Sequence, residues 1–474
     1  MDLAIVDTTL LTMRGDRLGI VEDAAVGVRD DEIVSVGPSD EFDADPDRVI
    51  DGGDRLTMPG FVDVHAHTSH TLVRGGAQDV PEIEWMNRAL SPLSAATTAE
   101  DRRVGARLSA IELLRSGVTT VGEYAENVAD LAEEALLPAG LRVAATETIN
   151  AVAATGADLD PDDPYPLDAD AADAGLARAE ALFDDYADHD RVHPLYGPQA
   201  LDMVPPDLLE TVHERAVDRD RSLHVHVAQG DRERRQIEAR YGAGETTVSV
   251  LEDLGVADEH LLATHLHGAT AAERTRLADA GVRMAGCPSS IAGIDGETPP
   301  IATFRAAGGT AGVGTDQAPG AGGHDFLREL RTAAMLSKTA RSDPSALPAH
   351  EALRVGTVEG ARALGIGDHV GSVEEGKRAD LVTVALDHPS VAPTVDDPLH
   401  TAVPNLVYGA SGAVVEDVIV DGELVVEGGE VLTLDVEGVV DDARRRARRI
   451  FDDAADDWRA ADSALVDAVD DGWL

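Results

Sequence analysis

Hydrophobic and polar positions change their pattern twice along the chain. Over residues 1–56, short apolar runs such as LAIVDTTLLTM alternate with turn residues, which is typical of β-strands. The same pattern returns over 366–436, in ADLVTVAL and VEDVIVDGELVVEGG. Over 57–365, apolar runs of strand length alternate with stretches whose apolar residues recur every three to four positions, as in helices. The chain therefore has two β-rich ends around a central β/α region.

The central region contains eight apolar runs, and helical stretches lie between them. In chain order the predicted strands are GFVDVHAH, VTTVGEY, RVAATET, VHPLYGPQA, LHVHVAQG, LLATHLHG, VRMAGCPSS and GTAGVGTD. The clearest helical stretches are around 99–115, 205–219, 270–280 and 326–339. Eight strand–helix units in about 300 residues are typical of a closed parallel barrel. The sequence predicts an α/β fold, with a (β/α)8 TIM-type barrel over 57–365 and a small β-sandwich domain built from both termini, 1–56 and 366–436.

A helical tail is predicted over 437–474. Its apolar residues recur at a spacing of three to four and are Val440, Ala443, Ala447, Ile450, Ala454 and Trp458. The basic run RRRARR at 444–449 lies on the same otherwise acidic helix. We interpret the tail as a helix that docks on its own domain or contacts a second copy in a homodimer.

Composition narrows the classes of function. The 474 residues carry a formal net charge of −50, and Lys338 and Lys377 are the two lysines. The carboxylates are dispersed along the chain, which resembles halophilic proteins whose self-repulsion is screened by a salt-saturated cytosol. Nucleic acid is an unfavourable partner, because phosphate binding needs clustered Lys and Arg.

No apolar stretch approaches the roughly 18 residues of a membrane helix, and no secretory signal is apparent. We therefore expect a cytoplasmic protein that binds no membrane. One cysteine, Cys287, excludes an internal disulfide or a Cys-based zinc cluster.

Histidine and aspartate side chains gather at the predicted strand ends. Residues two apart on a strand face the same side, so the two histidines of an HxH pair can point into the barrel together. Barrel enzymes place their chemistry at the C-terminal strand ends, where imidazole and carboxylate groups can bind one cation. Burying this many polar groups without a shared purpose would be costly. The residues are His65 and His67 on the first strand, His224 and His226 on the fifth, His265 and His267 on the sixth, and Asp316 on the eighth.

Five segments together resemble the amidohydrolase superfamily. They are PGFVDVHAHTSHTLVRG (59–75), LHVHVAQ (223–229), ATHLHG (263–268), GTDQAPG (314–320) and GSVEEGKRADLV (371–382). Their order is that of the family, and the resemblance spans nearly the whole chain. The most similar branch is the ATZ/TRZ group of chlorohydrolases and nucleoside-type deaminases, in particular the proteins resembling S-adenosylhomocysteine deaminase.

The resemblance implies one divalent metal, most often zinc and sometimes iron. The implied ligands are His65, His67, His226 and Asp316. His265 would contact the water on the metal, and Asp316 would take that water's proton and pass it on. His226 is preferred over His224. In the family, the ligand on strand five is followed three positions later by a proton-handling Glu, and residue 229, which has the place of that Glu, is three positions after His226. The two-metal branch of the family carries a bridging lysine at strand four. The predicted strand four here, VHPLYGPQA, contains no lysine, which favours a single metal ion.

Gln229 is the main departure from the family pattern. A neutral amide neither gives nor takes a proton, whereas a carboxyl does both. We therefore expect Gln229 to hold the substrate by hydrogen bonds. Glu123 and Glu147, near the ends of strands two and three, are alternatives for the missing acid, unless their side chains point into the helix layer. The predicted substrate-binding residues are Trp85, Gln199, His224 and Gln229, and His224 could instead support a neighbouring ligand without reaching the substrate.

The expected activity is hydrolysis of a non-peptide carbon–nitrogen bond by metal-activated water. In its simplest form this is deamination of a purine-, pterin- or triazine-like small molecule, with Asp316, His265 and Gln229 as the catalytic residues. Gln229 favours an alternative in which the same fold and metal remove chloride or an alkylamine. A further alternative is a catalytically idle relative that still binds metal.

Overall fold

Strands form two sheets in the structure, a computed structural model that describes residues 1–152 and 163–474. Within these ranges the strands are β1 (Leu3–Leu11), β2 (Ile20–Arg29), β3 (Glu32–Pro38), β4 (Arg48–Asp51), β5 (Arg55–Pro59), β6 (Phe61–Ala66), β7 (Val118–Ala125), β8 (Arg142–Ile149), β9 (Val192–Pro198), β10 (Leu223–Val227), β11 (Leu261–His265), β12 (Arg283–Gly286), β13 (Thr310–Val313), β14 (Leu381–Ala385), β15 (Val415–Val420), β16 (Glu423–Glu427) and β17 (Glu430–Val431). Strands β6–β13 form an eight-stranded sheet, and the others form a nine-stranded sheet.

The eight-stranded sheet closes into a barrel between its first and last strands. Its order follows the sequence from β6 to β13, and neighbouring strands are parallel. Just beyond these strands, the Asp316 N–H donates to the His65 carbonyl and the His67 N–H donates to the Asp316 carbonyl, both at 2.8 Å. The barrel strands are almost wholly buried on both faces, as parallel strands covered by helices are. The predicted TIM-type barrel is confirmed.

Helices cover the outside of the barrel. They are α1 (Glu82–Glu84), α2 (Ser91–Ala95), α3 (Ala99–Arg115), α4 (Val128–Leu131), α5 (Leu137–Ala139), α6 (Ala169–Asp185), α7 (Pro206–Arg219), α8 (Asp231–Tyr241), α9 (Thr247–Asp253), α10 (Ala271–Asp279), α11 (Pro288–Ile294), α12 (Ile301–Ala306), α13 (Ala318–Ala321), α14 (Phe326–Arg341), α15 (Ala349–Val355), α16 (Val358–Ala363), α17 (Ala402–Gly409), α18 (Val436–Ala460) and α19 (Ala464–Asp470). A capping box of Thr98 and Asp101 starts α3 at the predicted position. Within the described ranges, no helix is both long enough and apolar enough to cross a bilayer.

Both termini contribute to the nine-stranded mixed sheet. Strand β14 pairs antiparallel with β5 along its whole length, from Leu381 opposite Pro59 to Ala385 opposite Arg55. This pairing joins β1–β4 to β15–β17 in one sheet. The prediction that the two β-rich ends come together is confirmed, and they share one mixed sheet. The division of the chain into a separate small domain and a barrel domain stays a prediction. Strand β5 ends at Pro59, three residues beyond the boundary predicted at residue 56, and the chain passes almost directly from it into the barrel.

The C-terminal helix α18 docks on the first long helix of the barrel, α3. Ala443, Ile450 and Ala454 of α18 are buried. Arg446 and Arg449 both form ion pairs with the buried Asp101 of α3, the first at 3.1 Å. Two arginines of the basic run therefore bind the chain's own carboxylate. The homodimer contact stays a prediction.

Candidate metal centre

Four imidazoles and one carboxylate converge at the carboxyl end of the barrel. The residues are His65 on β6, His67 directly after it, His226 on β10, His265 at the end of β11 and Asp316 after β13. The ring centroid of His65 lies 4.8 Å from that of His67, 4.9 Å from that of His226 and 5.8 Å from that of His265. The structure thus brings together the four predicted metal ligands and the predicted catalytic histidine.

Backbone carbonyls fix the orientation of two of these rings. Nδ1 of His67 lies 2.7 Å from the carbonyl oxygen of Tyr124, and Nδ1 of His226 lies 2.8 Å from that of Gln199. A carbonyl oxygen only accepts hydrogen bonds, so Nδ1 carries the proton in both rings. The lone pair of each ring is therefore on Nε2, the nitrogen available to a metal ion.

The ring of His65 is oriented by a second histidine. Nδ1 of His65 lies 2.9 Å from Nε2 of His224, whose own Nδ1 lies 3.0 Å from the hydroxyl of Thr146. His224 is fully buried behind His65, and both of its nitrogens have protein partners. Sequence reasoning placed His224 among the substrate-binding residues. The structure favours the supporting position over direct contact with a substrate, because one ring nitrogen of His224 meets His65 and the other meets Thr146.

Asp316 presents one carboxylate oxygen to the histidines. Its Oδ2 accepts a hydrogen bond of 2.5 Å from the Ser290 hydroxyl. Its Oδ1 lies 3.7 Å from Nε2 of His65 and 3.6 Å from Nε2 of His67. Neither this oxygen nor Nε2 of His65 has a hydrogen-bond partner among the residues that the structure describes. Ligands about 2.1 Å from one cation lie roughly 3.0–3.6 Å apart, and the two orphaned atoms lie about 0.1 Å beyond this range, so a small side-chain movement would let both bind one divalent metal ion.

The protonation states also suit a cation. Burial lowers the pKa of His67 to about 4 and that of His226 to about 3, so both rings are neutral at neutral pH and offer lone pairs. Burial raises the pKa of Asp316 to about 7, Asp295 adds to this shift and the Ser290 hydroxyl opposes it. A buried carboxylate of this kind needs a positive partner, which a divalent cation between these ligands would supply.

Backbone strain is concentrated at the same strand ends. Ala228 (φ 51°), His265 (φ 79°) and Asp316 (φ 59°) have left-handed backbone conformations that residues with a Cβ atom rarely adopt. Such conformations persist where surrounding contacts over-determine them, and they cluster at functional sites. At these three positions the chain leaves a barrel strand, at or beside residues of the cluster.

A cavity of about 310 Å³ opens beside the cluster. Three of the predicted substrate-binding residues, Trp85, Gln199 and Gln229, line it. A smaller lobe of about 70 Å³ is also lined by Trp85 and Gln229, and by Asp316. The backbone N–H of Gln229 donates to Glu233 at 2.6 Å, whereas its side-chain amide has no hydrogen-bond partner among the described residues. The amide is therefore available to a ligand in the cavity.

The two alternatives for the missing acid lie elsewhere. The carboxylate of Glu123 accepts hydrogen bonds from the Thr68 N–H at 3.2 and 3.1 Å. That of Glu147 accepts from the backbone N–H groups of 127 and 128, at 3.0 and 2.9 Å, and from Arg178 at 2.7 Å. Neither carboxylate lines the cavity. Both groups support the backbone around the barrel mouth, which corrects the suggestion that one of them replaces Glu at position 229.

Sequence reasoning missed several supporting groups. Ser290 follows β12 and holds Asp316, and the rule that chemistry lies at strand ends could have selected it. Glu82 comes three residues before Trp85 and lines the same small lobe. The carbonyl groups that orient His67 and His226 leave no signal in a sequence, because every residue has a carbonyl.

Comparisons with known proteins agree with this geometry. The model of the Amidohydrolase family matches residues 56–425. The chain is 32% identical over 449 residues to a 5-methylthioadenosine/S-adenosylhomocysteine deaminase of Moorella thermoacetica, covering 94% of this chain and 99% of the relative. An adenosine deaminase from Xanthomonas campestris, solved with bound zinc, superposes with a TM-score of 0.85 at 31% identity, covering 95% of this chain and 98% of that one. An atrazine chlorohydrolase from Arthrobacter aurescens, complexed with zinc, superposes with a TM-score of 0.80 at 26% identity, covering 94% of this chain and all of that one (100%).

Proposed function

The chain belongs to the amidohydrolase family and is a metal-dependent hydrolase of carbon–nitrogen bonds, and on this premise we propose that it is a zinc-dependent deaminase of an amino-substituted purine-type compound. The observation that carries the proposal is that His65 lies within metal-binding reach of two pairs of side chains, His67 with Asp316 and His226 with His265. Nε2 of His65 and Oδ1 of Asp316 are buried there without a hydrogen-bond partner among the described residues. Imidazole and carboxylate ligands suit zinc and iron alike. Zinc is proposed because both solved relatives described above carry it.

Adenosine-type compounds are the proposed substrate class. The Moorella relative acts, by its name, on 5-methylthioadenosine and S-adenosylhomocysteine, and the Xanthomonas protein acts, by its name, on adenosine. The cavity of about 310 Å³ falls at the small end of the range for ligand pockets, roughly 300–1,000 Å³. The buried ring of Trp85 provides an apolar face for a flat heterocycle, and Gln199 and Gln229 provide polar groups at the cavity wall.

The roles of the chain's own residues follow from their contacts. His65, His67, His226 and Asp316 would hold the cation, which when bound lowers the pKa of a water ligand towards roughly 7. The carboxylate of Asp316, held at Oδ2 by Ser290, is placed to take a proton from the attacking water and give it to the leaving amine. His265 has an unpartnered Nδ1 at the same cavity wall and is placed to steady the charge that develops on the attacked carbon's substituents.

A second candidate function is removal of chloride or an alkylamine. The observation that favours it is Gln229, whose free amide cannot protonate a leaving group. The chlorohydrolase from Arthrobacter shares the fold over nearly the whole length of this chain. Chloride departs as a stable anion and would need no acid at this position, whereas an alkylamine, like ammonia, must be protonated to leave, so the free amide favours chloride within this alternative.

A release assay over a panel of heterocycles tests both candidates. Purified protein in molar KCl, loaded with zinc, is incubated with adenosine-type, pterin and triazine compounds that carry amino, alkylamino or chloro groups. Ammonia release from the adenosine-type compounds supports the deaminase. Chloride or alkylamine release without ammonia supports the second candidate. No release by fully metal-loaded protein would contradict both, and His226→Ala is the matched negative control.

A further inference from the structure

The small lobe beside the metal centre is lined by two carboxyl groups besides Asp316. Among the described residues these are Glu82 of α1 and Asp295, which follows α11. Gln229 and His265 line the same lobe, so both carboxyls share a wall with the groups assigned to the chemistry. The same two residues also line an outer cavity of about 380 Å³, so this cavity and the lobe adjoin each other at Glu82 and Asp295.

Gly230 makes room for these carboxyls directly beside position 229. A Cβ atom at Gly230 would lie 2.7 Å from Oδ1 of Asp295 and 3.5 Å from Cδ of Glu82. The backbone of Gly230 also has φ +105°, which residues with side chains rarely adopt. Position 229 thus carries an amide where the family resemblance implies a carboxyl group. The next residue, Gly230, leaves room for the carboxyl groups of Glu82 and Asp295.

The carboxyl of Glu82 is mostly buried and is not held by a full ion pair. Its Oε2 accepts from the Arg232 N–H at 3.2 Å, and its Oε1 lies 3.8 Å from Nε of Arg232. The guanidinium of Arg232 instead binds Asp202 at 2.6 Å. Burial raises the pKa of Glu82 to about 7, Asp295 and Asp231 add to the shift, and Arg232 opposes it. A substantial fraction of Glu82 therefore carries a proton at neutral pH.

The charged groups that act on Glu82 come from two segments of the described chain. Arg232 and Asp231 face it from α8, and Asp295 faces it from the segment after α11. His267, from the loop after β11, lies behind Asp295, with its Nε2 3.4 Å from Oδ1 of that residue. Among the described residues, the charged groups that act most strongly on the carboxyl of Glu82 are thus two carboxylates and the guanidinium of Arg232, which also binds Asp202.

We propose that Glu82 is the proton-handling acid of this enzyme and replaces the carboxyl that is absent at Gln229. This inference rests on the proposed deamination. Asp316 takes one proton of the attacking water as the water oxygen bonds to the ring carbon. Glu82 gives its proton to the adjacent ring nitrogen, which receives the displaced electron pair. The amine then takes the proton from Asp316, the carbon–nitrogen bond breaks and ammonia leaves. The new hydroxyl returns its proton to Glu82 and becomes a ring carbonyl, so both carboxyls are regenerated.

Kinetics as a function of pH test the proposal, with the best substrate of the release assay as probe. Glu82→Gln should lower kcat at least about 100-fold while zinc content stays at the wild-type level. It should also remove the fall in activity above about pH 7, because that fall reports loss of the proton from Glu82. Adding Gln229→Glu to this variant should restore at least about tenfold, since a carboxyl returns to the wall of the same lobe. Glu84→Gln is the matched control, because Glu84 contacts Arg88 and the backbone of 464 at the surface.

A conservative second variant keeps the test open if Glu82→Gln folds poorly. Asp295→Asn removes a negative charge that faces Glu82, so it should move the basic limb of the kcat profile to lower pH. Wild-type kcat and an unchanged pH profile in Glu82→Gln would overturn the proposal while leaving the deaminase intact. An unmoved limb in Asp295→Asn would also count against it. Absence of ammonia release by the wild-type protein would overturn the proposed function and this inference together.

Discussion

Nδ1 of His65 lies 2.9 Å from Nε2 of His224, and this contact decides which nitrogen of His65 faces the metal centre. The Thr146 hydroxyl lies 3.0 Å from the other nitrogen of His224. A proton on Nδ1 of each ring satisfies both contacts, and it leaves the Nε2 lone pair of His65 free. The two histidines of the LHVHV strand thus differ in position. His226 faces the candidate metal centre, whereas His224 contacts the ring of His65 on another strand.

Replacing His224 tests this support. His224→Ala should weaken zinc binding about 10–100-fold, because His65 then loses the partner that holds its tautomer and ring orientation. Competition with a chromogenic chelator measures the affinity. His213→Ala is the control, since His213 lies on α7, outside the cluster, and pairs with Asp258. Wild-type affinity in His224→Ala would show that the contact has no role in metal binding.

Removal of the metal should abolish turnover. Dialysis against a strong chelator should leave folded protein without activity, and zinc should restore it, because the water needs a cation to lose its proton near neutral pH. Elemental analysis of undenatured protein should find one metal ion per chain. Full turnover by metal-free protein would contradict the proposed mechanism.

Asp316→Asn separates proton transfer from folding. The amide keeps the shape of the side chain but cannot take a proton, so kcat should fall about 10²–10⁴-fold. Circular dichroism should be unchanged, and elemental analysis should still find bound metal. Ser290→Ala should cause a smaller loss, because it removes one hydrogen bond to Asp316 and leaves the carboxylate in place. Near-normal turnover in Asp316→Asn would refute the role of Asp316.

The docking of α18 should depend on the charge of Asp101. Burial opposes ionisation of Asp101, but hydrogen bonds from Thr98, Arg449 and Arg446 outweigh it and lower its pKa to about 2. The native state therefore favours the carboxylate, and the stabilisation is complete above the ordinary aspartate pKa and is lost as the pH falls towards 2. Asp101→Asn should lower the free energy of unfolding by about 2–3 kcal/mol at pH 7.

Denaturant unfolding at several pH values measures that difference. The gap between wild type and Asp101→Asn should shrink below about pH 4, since both side chains are then becoming neutral. Asp453→Asn, an exposed carboxylate that also pairs with Arg449, should change the free energy of unfolding by less than about 0.5 kcal/mol. A gap that does not change with pH would mean that packing alone holds α18.

Salt should stabilise the protein. With a net charge of −50, repulsion between carboxylates opposes the compact state at low ionic strength. At 1 M salt the screening length is about 3 Å, against about 10 Å at 0.1 M. The midpoint of thermal unfolding should therefore rise steeply with KCl at constant pH. A midpoint that is independent of KCl would show that the dispersed charge is not a salt adaptation.

Sequence periodicity was sufficient to predict the barrel, and the strand ends together with the family resemblance supplied the candidate metal ligands, which stay a prediction. The eight apolar runs became β6–β13, and α3 begins and ends where its apolar spacing indicated. Short-range rules suffice there, because alternation along a strand and the place where the strand ends already decide which side chains reach the barrel mouth. His65, His67, His226 and Asp316 could be selected in this way, with the family resemblance to choose His226 over His224.

The contacts between distant segments were decided only by tertiary structure. The sequence shows Glu82, Gln229 and Asp295 as three unrelated positions in loops and short helices, and only the closed barrel brings them to one lobe beside the metal centre. His224 likewise carries the same two-residue spacing as its neighbour His226, and its role follows from the ring of His65 on another strand. Periodicity is a property of neighbours along the chain, whereas proton transfer and ligand orientation depend on atoms that meet across it.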